Sequence, residues 1–295
     1  MRKLLVGLIG AGIQRSLSPA LQEEEARHHG VRLHYQLIDL NAAGADIEAL
    51  PGLIAAARVM GFAGLNITYP CKQSVIPLLD ALSEEARAIG AVNTVVREGE
   101  RLVGHNSDGS GWSWGFRRAL PKADLSRVVL LGAGGAGSAC ADAVLRLGAQ
   151  RLVVFDRDAP RAESLAKRLN GYLDGDRASA SPDLRAALDG ASGLIHATPT
   201  GMAQLPGMPL PEEWLRPTMW VSDIVYVPLE TPLLKAARRI GCETADGGHM
   251  NVGQAVGAFK LFTGFDADPA RMDAHFRRLV SSPVAAAQQE EPWPK

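Results

Sequence analysis

Residues 128–140 read VVLLGAGGAGSAC, and the interpretation of the chain starts from them. The apolar run Val128–Leu131 predicts a short buried strand, and the residues after the glycines predict a helix that continues to Leu147. Between the two, residues 132–137 match the pattern G-x-G-x-x-G. Because this pattern follows a strand and opens a helix, it predicts a turn that binds the pyrophosphate of a dinucleotide, with a plain turn as the alternative.

Glycine serves such a turn in three ways: it permits a tight bend, close approach of the backbone to pyrophosphate, and close packing of the helix on the strand. The N-terminus of the helix then offers N–H groups and a partial positive charge to the phosphates. We therefore predict that the whole turn contacts the cofactor. Its residues are Gly132, Ala133, Gly134, Gly135, Ala136 and Gly137.

The sequence also addresses the ribose of a bound dinucleotide. Proteins with this turn place an acidic residue about 20 positions further on, at the end of the second strand. Asp156 stands there, directly after the predicted strand Arg151–Phe155. A carboxylate accepts hydrogen bonds from the ribose hydroxyls and repels a 2′-phosphate, so Asp156 favours NAD over NADP. Arg157 and Arg161 leave NADP open, since an arginine can accommodate a 2′-phosphate.

Strand-like apolar runs alternate with helix-like segments on both sides of this turn, which predicts βαβ units, parallel sheets and an α/β fold. Ser74–Ile89 is predicted to form one helix, because its apolar residues recur at helical spacing. Gly253–Thr263 and Pro269–Leu279 are predicted to be the last two helices, and residues 281–295 a frayed tail. We place a domain boundary near residues 108–125, between an N-terminal α/β unit and a nucleotide-binding unit.

The composition excludes several classes of protein. The chain has 295 residues, of which 46% are hydrophobic and 21% are charged, so it can build one large or two ordinary cores and is neither disordered nor fibrous. A formal net charge of -1 without a long basic run argues against a nucleic-acid partner. No apolar run reaches the roughly 20 residues of a membrane span. The apolar N-terminus is interpreted as a first strand and not as a signal peptide.

Cysteine and histidine usage points to a reducing compartment and to chemistry without a metal. Cys71, Cys140 and Cys242 lie far apart and are odd in number, which is typical of free thiols and predicts a cytoplasmic protein. The histidines show no metal-binding spacing, so no metal site is predicted. A hydrolase is disfavoured because the chain lacks the G-x-S-x-G pattern of a nucleophile elbow.

The residues after the first predicted strand allow two interpretations. Gly10, Ala11 and Gly12 resemble the start of a second dinucleotide turn, but the third glycine is missing and Asp39 is only close to the position of an acidic partner, so we interpret them as a tight turn. Ser18 is predicted to cap the next helix. Ser16, two residues earlier, is not explained by capping, and the two hydroxyls together are a candidate site for a carboxylate.

Polar clusters end three further apolar runs, at residues 66–72 (NITYPCK), 91–94 (AVNT) and 104–108 (GHNSD). Proteins of the α/β class place binding groups at such strand ends, although Asn, Asp and Ser also favour turns for local reasons. Lys72 and Asp108 are the kind of pair that transfers a proton when the two side chains meet in a cleft. Spacing alone does not show that they meet.

Taken together and in order, these clusters resemble the shikimate/quinate dehydrogenase family. The matching pieces are SLSP (16–19), NITYPCK (66–72), GAVNT (90–94), GHNSDGSG (104–111), GAGGAG (132–137), ATPTGM (197–202), DIVYVPLETPLL (223–234) and GQAVGAFKLFTG (253–264). The match covers residues 5–280, and so many short motifs in one order are highly specific. The chain looks most like the NAD-using branch, since members that use NADP usually carry Asn-Arg-Thr where Asp156, Arg157 and Asp158 stand here.

The resemblance implies two domains with the active site in the cleft between them. Residues 1–108 would form the substrate-binding domain, onto which residues 251–280 pack back, and residues 109–250 would form a Rossmann-type NAD(P)-binding domain. The implied reaction oxidises a ring secondary alcohol of shikimate, and of quinate as a further substrate, with hydride passing to NAD, or more weakly NADP. The implied partners are this small-molecule substrate and no nucleic acid or membrane, in a monomer or homodimer.

The resemblance also assigns roles to residues. Lys72 would move the hydroxyl proton, and Asp108 would orient the substrate and set the charge on Lys72. Ser16 and Ser18 would bind the substrate carboxylate. The other implied substrate contacts are Thr68, Asn93, Tyr226 and Gln254. The implied cofactor contacts beyond the turn are Asp156, Arg157, Arg161, Thr198, Met202, Val225 and Gly247.

A few positions depart from the family pattern. Gln22 replaces a common histidine, Ser107 replaces the usual threonine, and His249 and Asn251 stand in a run that differs from the usual Gly-Met-Leu, where they either alter substrate choice or are neutral. Three other functions stay open: an NADP-dependent shikimate dehydrogenase, an aminoshikimate dehydrogenase and a non-catalytic nucleotide-binding regulator. Retention of a proton-transfer pair argues against the regulator.

Overall fold

A computed structural model describes residues 2–202 and 205–281 of the chain. As predicted, the architecture is mixed α/β, with one six-stranded sheet in each of two compact units. The first unit comprises Met1–Ser107 and Gln254–Leu279, and the second comprises Asp108–Gly253. Apart from Ser281, the predicted tail over residues 281–295 lies outside the described residues.

Strands and helices alternate along most of the chain. The N-terminal part of the first unit contains β1 (Lys3–Gly10), α1 (Ser18–His28), β2 (Arg32–Asp39), α2 (Leu50–Val59), β3 (Gly64–Ile67), β4 (Ala81–Leu82), α3 (Glu84–Ile89), β5 (Thr94–Glu98) and β6 (Arg101–His105). The second unit contains α4 (Asp108–Ala119), β7 (Val128–Leu131), α5 (Gly135–Arg146), β8 (Leu152–Phe155), α6 (Ala159–Tyr172), β9 (Ala178–Ala180), α7 (Leu184–Leu188), β10 (Gly193–His196), β11 (Trp220–Asp223), α8 (Pro232–Ile240) and β12 (Glu243–Ala245). The last helices are α9 (Gly247–Thr263), which begins in the second unit and ends in the first, and α10 (Pro269–Val280).

The sheet of the first unit has the strand order β2-β1-β3-β5-β6-β4. β2 and β3 run parallel to β1, whereas β5 is antiparallel to β3 and β6 is antiparallel to β5. The carboxyl ends of β1, β2, β3 and β6 therefore lie at the same edge of the sheet as the start of β5. We call this edge the substrate edge, because it collects the polar clusters that the sequence places after β3, before β5 and after β6.

The last two helices contribute buried side chains to the first unit. Phe259 of α9 and Phe276 of α10 are fully buried. The buried carboxylate of Glu25 on α1 accepts hydrogen bonds from the guanidinium of Arg271 on α10, with a shortest distance of 2.6 Å, and from the N–H of Asp268 at 2.9 Å. A buried carboxylate needs such partners, so this ion pair fixes where α10 begins.

The sheet of the second unit is entirely parallel, with the order β12-β11-β10-β7-β8-β9. From β7 the chain builds outward to β8 and β9 on one side and then to β10, β11 and β12 on the other. The adjacent strands β7 and β10 therefore mark the switch point of a doubly wound sheet, where such folds bind ligands at the carboxyl ends of the strands. The Rossmann-type architecture predicted from the glycine-rich turn is confirmed.

The prediction of one helix over Ser74–Ile89 is wrong. A 3₁₀ turn over Ile76–Leu78 comes first, then the two-residue strand β4, and only then α3. Pro77 lacks the N–H that a continuous helix would use. The hydroxyl of Ser83 accepts the backbone N–H of Ala86 and caps a new helix there. The helical spacing of the apolar residues reflects core packing from a turn, a strand and a helix in succession.

Three short elements of the second unit, β9, α7 and β12, were not predicted, since each spans only three to five residues. The predicted start of α9 at Gly253 is also too late. The helix begins at Gly247, where the carboxylate of Asp246 accepts the N–H of Gly248 at 2.9 Å. Two successive glycines hid this start from the sequence pattern. Within the described residues, none of the helices combines the length and apolar character that a membrane span requires.

Candidate functional site

The substrate edge of the first unit carries the predicted substrate contacts Thr68 and Asn93 and the predicted catalytic residue Lys72. Thr68 and Lys72 follow β3, Asn93 precedes β5, and Ser107 follows β6. The backbone of Asn93 joins neighbouring segments, because its carbonyl accepts the N–H of Ile67 at 2.8 Å. Residues that are far apart in sequence therefore meet at this edge because of the strand order, which no local pattern encodes.

A buried chain of side-chain hydrogen bonds runs along the substrate edge. The hydroxyl of Tyr35 donates to Oδ1 of Asn66 at 2.7 Å, and Nδ2 of Asn66 donates to Oγ1 of Thr94 at 3.0 Å. The Thr94 hydroxyl in turn donates to Oδ1 of Asn93 at 2.9 Å. All four residues are buried. Buried amides that are satisfied in this way have a fixed orientation, so the Asn93 side chain is held before any ligand arrives.

Ser107 continues this chain to helix α9. Nδ2 of Asn93 donates to Oγ of Ser107 at 3.0 Å, and the Ser107 hydroxyl donates to the backbone carbonyl of Gln254 at 3.1 Å. Gly257 makes room, because a side chain there would press on Cβ of Ser107 at 2.9 Å. One turn of α9 is held from a second direction by Gln22, whose amide donates to the carbonyl of Ala255 at 2.9 Å. Asn93 and Gln254 are therefore positioned by one serine.

The segment that carries Lys72 is anchored through its main chain. The N–H of Thr68 donates to the carbonyl of Ile9 at 3.0 Å, and the N–H of Val92 donates to the carbonyl of Lys72 at 2.8 Å. Cys71 is buried, and burial raises the pKa of its thiol. The residue before Lys72 is thus an inert core residue, whereas Lys72 itself is half-buried.

The start of α1 differs from the prediction. Ser18 does not cap the helix: the N-cap position is Leu17, and no side chain supplies a cap there. Instead the hydroxyl of Ser16 accepts the N–H of Ser18 at 3.3 Å, which lets the helix begin one residue earlier. Pro19 falls in the first turn, where its missing N–H costs nothing. Ser16 and Ser18 are neighbours at a helix N-terminus, and their binding of a carboxylate stays a prediction.

Asp108 is the first residue of α4 and directly follows Ser107 in the chain. Its side chain is buried, with 4% of the residue exposed. A carboxylate in the first turn of a helix interacts favourably with the helix dipole. The catalytic role of Asp108 stays a prediction.

The glycine-rich turn of the second unit has the geometry that the pattern predicts. Gly132 has φ of 105°, and a Cβ atom there would lie 2.7 Å from the carbonyl oxygen of Ala197 after β10. A Cβ atom on Gly137 would collide with the carbonyl oxygen of Gly132. Gly134, by contrast, has an ordinary extended conformation and open space, with Nη2 of Arg161 at 4.0 Å from its ideal Cβ. The first and third glycines fit the fold, and the second leaves room for a ligand.

Asp156 lies at the end of β8 and contacts this turn directly. One carboxylate oxygen accepts the N–H of Ala133 at 2.7 Å, and the other accepts the N–H of Asp158 at 2.9 Å. Each oxygen keeps further acceptor capacity for a ribose hydroxyl. Arg157 is exposed, and the exposed Arg161 reaches towards the open side of the turn. Both charge types that influence cofactor choice are therefore present.

The first unit contains the same arrangement without the third glycine. Asp39 ends β2, and its two carboxylate oxygens accept the N–H groups of Gly12 and Ile13, each at 2.9 Å. Burial opposes ionisation of Asp39, but these N–H groups, together with the Gln14 side chain and the N–H of Ala42, hold the pKa of the carboxyl below its usual value. The tight turn predicted over residues 10–12 is thus stabilised by an aspartate, and an aspartate at this place is not by itself evidence for a nucleotide.

Of the remaining predicted cofactor contacts, Thr198 and Val225 follow the neighbouring strands β10 and β11. Gly247 packs against the carbonyl of Val225, where a side chain would collide. Tyr226 is half-buried, and burial raises the pKa of its hydroxyl. Met202 forms an isolated β-bridge with Leu205, next to residues 203–204, which lie outside the described residues.

Sequence reasoning missed a buried pair in the second unit. His196 and Asp223 are the last residues of β10 and β11, pair in register, and are joined by a hydrogen bond of 2.9 Å between Nδ1 and Oδ1. The signal was present, because each is a polar residue that ends an apolar strand of a buried parallel sheet.

The second unit fits a dinucleotide on its own geometry. A doubly wound sheet, a glycine turn at the start of α5 and a carboxylate at the end of β8 are the parts that hold such a cofactor. Among residues 2–202 and 205–281, no group of three His, Cys, Asp or Glu side chains is arranged to bind a metal ion. Together with the separate α/β unit, the doubly wound sheet, the glycine turn and the carboxylate are the features of a dinucleotide-binding protein.

Comparison with known proteins identifies the family. The model of the shikimate dehydrogenase substrate binding domain matches residues 8–95, and that of shikimate / quinate 5-dehydrogenase matches residues 116–201. The chain is 56% identical over 280 residues to a shikimate dehydrogenase (NADP(+)) of Streptomyces avermitilis, covering 94% of this chain and 96% of the relative. It is 45% identical over 280 residues to a quinate/shikimate dehydrogenase (NAD(+)) of Corynebacterium glutamicum, covering 94% and 99%.

Solved structures agree with these relatives. The quinate dehydrogenase from Corynebacterium glutamicum in complex with NAD is 43% identical and superposes with a TM-score of 0.86, covering 94% of this chain and 99% of that one. The shikimate 5-dehydrogenase from Thermus thermophilus in complex with NADP(H) and shikimate is 33% identical with a TM-score of 0.81, covering 93% and 99%. The chain belongs to the shikimate/quinate dehydrogenase family.

Proposed function

We propose that the protein is an NAD-dependent dehydrogenase that interconverts shikimate and 3-dehydroshikimate, and quinate and 3-dehydroquinate. The observation that carries this proposal is the substrate edge: Thr68 and Lys72 follow β3, Asn93 precedes β5, and the Asn93 side chain is held in a buried hydrogen-bond network. A polyhydroxylated ring acid needs such a set of fixed hydroxyl-binding groups beside one proton acceptor. Two relatives, described above, carry shikimate and quinate in their names.

In the proposed reaction the substrate alcohol loses a hydride from carbon and a proton from oxygen. The nicotinamide, when bound, accepts the hydride. Lys72 accepts the proton in the direction of oxidation and returns it in reduction, while Asp108 orients the substrate and sets the charge on Lys72. Ser16 and Ser18 bind the substrate carboxylate.

The substrate hydroxyls are the remaining groups to be bound. The family pattern assigns them to Thr68, Asn93 and Gln254, with Tyr226 at the same ligand. The network described above supports this assignment for Asn93, because its amide is already held by Thr94 and Ser107. An immobilised amide loses little conformational entropy when it binds a hydroxyl, which favours binding and orientation.

The preference for NAD rests on the negative charge of Asp156 next to the glycine turn. A 2′-phosphate would meet this carboxylate, whereas the ribose hydroxyls of NAD would donate to it. NADP use is the second candidate, favoured by Arg157 and Arg161 and by the relative named for NADP(+). The three cysteines are buried and form no disulfide, which supports a reducing compartment such as the cytoplasm.

The proposal is tested by initial rates at 340 nm, with NAD and NADP each combined with shikimate and with quinate. Turnover of both acids with NAD is the expected result. Turnover only with NADP and shikimate would replace the proposal by an NADP-dependent shikimate dehydrogenase. Binding of a cofactor without turnover of either acid would favour a non-catalytic regulator, and turnover of an amino analogue alone would favour an aminoshikimate dehydrogenase.

Substitutions of Asp156 separate its effect on cofactor preference from its effect on the stability of the glycine turn. Asp156→Asn keeps an acceptor for the N–H of Ala133 but removes the charge, so the ratio of kcat/KM with NAD to that with NADP should fall about tenfold, as expected for one charge contact of about 1.4 kcal/mol. Asp156→Ala should give the same fall and also lower the melting temperature, because the turn loses its acceptor. An unchanged ratio in both variants would show that other residues set the preference.

Ser107 offers a test of the buried network. Ser107→Ala removes the acceptor of the Asn93 amide and a donor to the Gln254 carbonyl, so the KM for shikimate should rise about tenfold while the KM for the cofactor stays constant. Ser107→Thr, which restores the hydroxyl and the residue usual in the family, is the matched control and should recover most of the loss. Equal changes in both KM values, or no recovery in the threonine variant, would contradict the positioning role.

A further inference from the structure

The buried pair of His196 and Asp223 lies beside the proposed cofactor site and has no part in the proposed function. Both side chains are fully buried, and the two residues pair in register at the carboxyl ends of β10 and β11. Nδ1 of His196 lies 2.9 Å from Oδ1 of Asp223, and Nε2 lies 2.6 Å from the hydroxyl oxygen of Thr198. The three side chains form a line from the sheet to the loop that follows β10.

The hydrogen bonds of Asp223 determine the direction of this line. Its Oδ1 also accepts the N–H of Val225 at 3.0 Å, and its Oδ2 accepts the hydroxyl of Thr231 at 2.7 Å. The Thr231 oxygen itself accepts the N–H of Leu234 at 3.2 Å, so its proton points at Asp223. Asp223 therefore faces donors on both oxygens and acts as an acceptor for Nδ1–H of His196.

In the neutral form of His196 with its proton on Nδ1, the ring presents a lone pair at Nε2. The hydroxyl of Thr198 then donates its only proton to His196. The same oxygen accepts the N–H of Thr200 at 3.3 Å. The Thr198 oxygen can therefore still accept a hydrogen bond from a ligand. Its orientation is fixed by His196 and Asp223, whose side chains are fully buried.

Thr198 also borders the glycine turn. An ideal Cβ on Gly132 would lie 3.0 Å from the methyl carbon of Thr198, so the methyl group packs against the first glycine while the hydroxyl points to His196. Thr198 therefore lies at the switch point between β7 and β10, where a doubly wound sheet binds a dinucleotide at the carboxyl ends of its strands. These contacts fix both the χ1 rotamer of Thr198 and the orientation of its hydroxyl proton.

We propose that His196 is a positioning residue for the cofactor: with Asp223 it holds the hydroxyl of Thr198 as a hydrogen-bond acceptor for an N–H donor of the dinucleotide. The carboxamide of the nicotinamide supplies such a donor. The inference rests on the proposed function only in taking NAD or NADP as the ligand, and it does not depend on the substrate. Asp223, His196 and Thr198 together orient one hydrogen bond to the cofactor.

The test measures the dissociation constant of NAD, and of NADP, by calorimetry without substrate. In His196→Asn the short amide keeps a donor to Asp223 but cannot reach Thr198, and in His196→Gln the longer amide can still accept the Thr198 hydroxyl. We expect the Kd of the preferred cofactor to rise about tenfold in the asparagine variant and to stay within about threefold of the wild type in the glutamine variant. Melting temperatures should fall in both, since each leaves part of a buried network unpaired.

Thr198→Val and Thr198→Ser test the same idea while both residues of the buried pair and the hydrogen bond between them are kept. The valine variant should bind about tenfold more weakly, and the serine variant should bind like the wild type. In the double variant His196→Asn with Thr198→Val, the Kd should be no higher than with Thr198→Val alone, because both changes remove the same cofactor contact. Additive losses, or normal binding by Thr198→Val, would overturn the proposal.

The outcome separates this inference from the proposed function. If the wild type binds cofactor and the variants follow the expected order, the inference stands even if neither shikimate nor quinate is turned over. If the wild type turns over shikimate while His196→Asn binds cofactor normally, the proposed function stands and the inference fails. A wild type that binds neither NAD nor NADP contradicts both.

Discussion

Replacement of Lys72 by alanine should lower kcat for shikimate by about 10²–10⁴-fold and change the KM by less than about threefold. A positioned proton acceptor acts in the transition state, where the alcohol oxygen gives up its proton, and contributes little to binding of the ground state. The expected loss corresponds to about 3–5 kcal/mol of transition-state stabilisation. Steady-state kinetics in the direction of oxidation, with saturating cofactor, measure it.

The fold should tolerate this change. Lys72 is half-buried, and the contact that anchors its segment is made by its backbone carbonyl, which accepts the N–H of Val92 at 2.8 Å and remains in any variant. The neighbouring Cys71 keeps its place in the core. The melting temperature of Lys72→Ala should therefore stay close to that of the wild type, so that a loss of rate cannot be attributed to unfolding.

Two controls sharpen the result. Lys167→Ala removes an exposed lysine from α6 and should leave all kinetic constants unchanged. Methylamine added to Lys72→Ala should restore part of the rate, because it can enter the space of the missing side chain, whereas Lys72→Met fills that space and should not respond. Turnover of Lys72→Ala close to the wild-type rate would show that Lys72 has no part in the mechanism. If methylamine changes the rates of Lys72→Ala and Lys72→Met equally, the role of Lys72 as proton acceptor is not supported.

The sequence predicted the second unit well where structure is local. Val128–Leu131 form a strand as predicted, since a β-branched apolar run between a polar segment and glycine has few other solutions in a parallel sheet. Asp156 contacts the turn as expected, because the end of the second strand and the turn after the first are neighbours in any such unit. These features follow from residues within about 30 positions of one another.

Prediction failed where structure depends on distant partners. The spacing of apolar residues over Ser74–Ile89 is that of a helix, yet Pro77 and the cap at Ser83 divide the segment into a turn, a strand and a helix. The strand β4 exists because it pairs with β6, which is encoded some 20 residues later. Periodicity reports which side chains are buried, and it does not report what buries them.

The candidate site shows the same division. Asn93 and Lys72 were singled out by residue type and by resemblance. The hydrogen bonds that position the Asn93 side chain come from Thr94 and Ser107, and Ser107 in turn donates to the distant helix α9. His196 and Asp223 each carry the signal of a polar residue that ends an apolar strand, but the pairing of the two appears only once β10 and β11 are in register. The residues to which the resemblance assigns ligand contacts carry a signal in the sequence, whereas the residues that orient them are recognised from the strand order.

Replacement of Gly137 by alanine should abolish cofactor binding and destabilise the second unit together. A Cβ atom there would collide with the carbonyl oxygen of Gly132 and would lie 3.5 Å from Cβ of Ala197, so the start of α5 must move away from the sheet. Overpacking against backbone costs about 3 kcal/mol, which corresponds to a fall in melting temperature of about 6–12 °C for a unit of this size. The Kd for NAD should rise about 100-fold or more, since the N–H groups of the turn lose their alignment.

Gly134 and Gly171 separate the two effects. Gly134 has an extended backbone and only Nη2 of Arg161 near its ideal Cβ, so Gly134→Ala should melt close to the wild type, yet its methyl group would occupy the space that the pyrophosphate needs and should weaken binding of NAD. Gly171 of α6 has no atom within 4 Å of its ideal Cβ, so Gly171→Ala should bind normally and gain about 0.5–1 kcal/mol of stability.

Calorimetry of NAD binding and thermal melts of the three alanine variants therefore give three different patterns. If Gly134→Ala binds NAD as the wild type does, the open side of the turn does not face the pyrophosphate and the assignment of the turn as a cofactor site is wrong. If Gly137→Ala melts normally, the close approach of α5 to the strand is relieved elsewhere. Loss of binding with stability retained, at Gly134 alone, is the result that only a ligand at the turn explains, because a glycine needed solely for the fold would cost stability first.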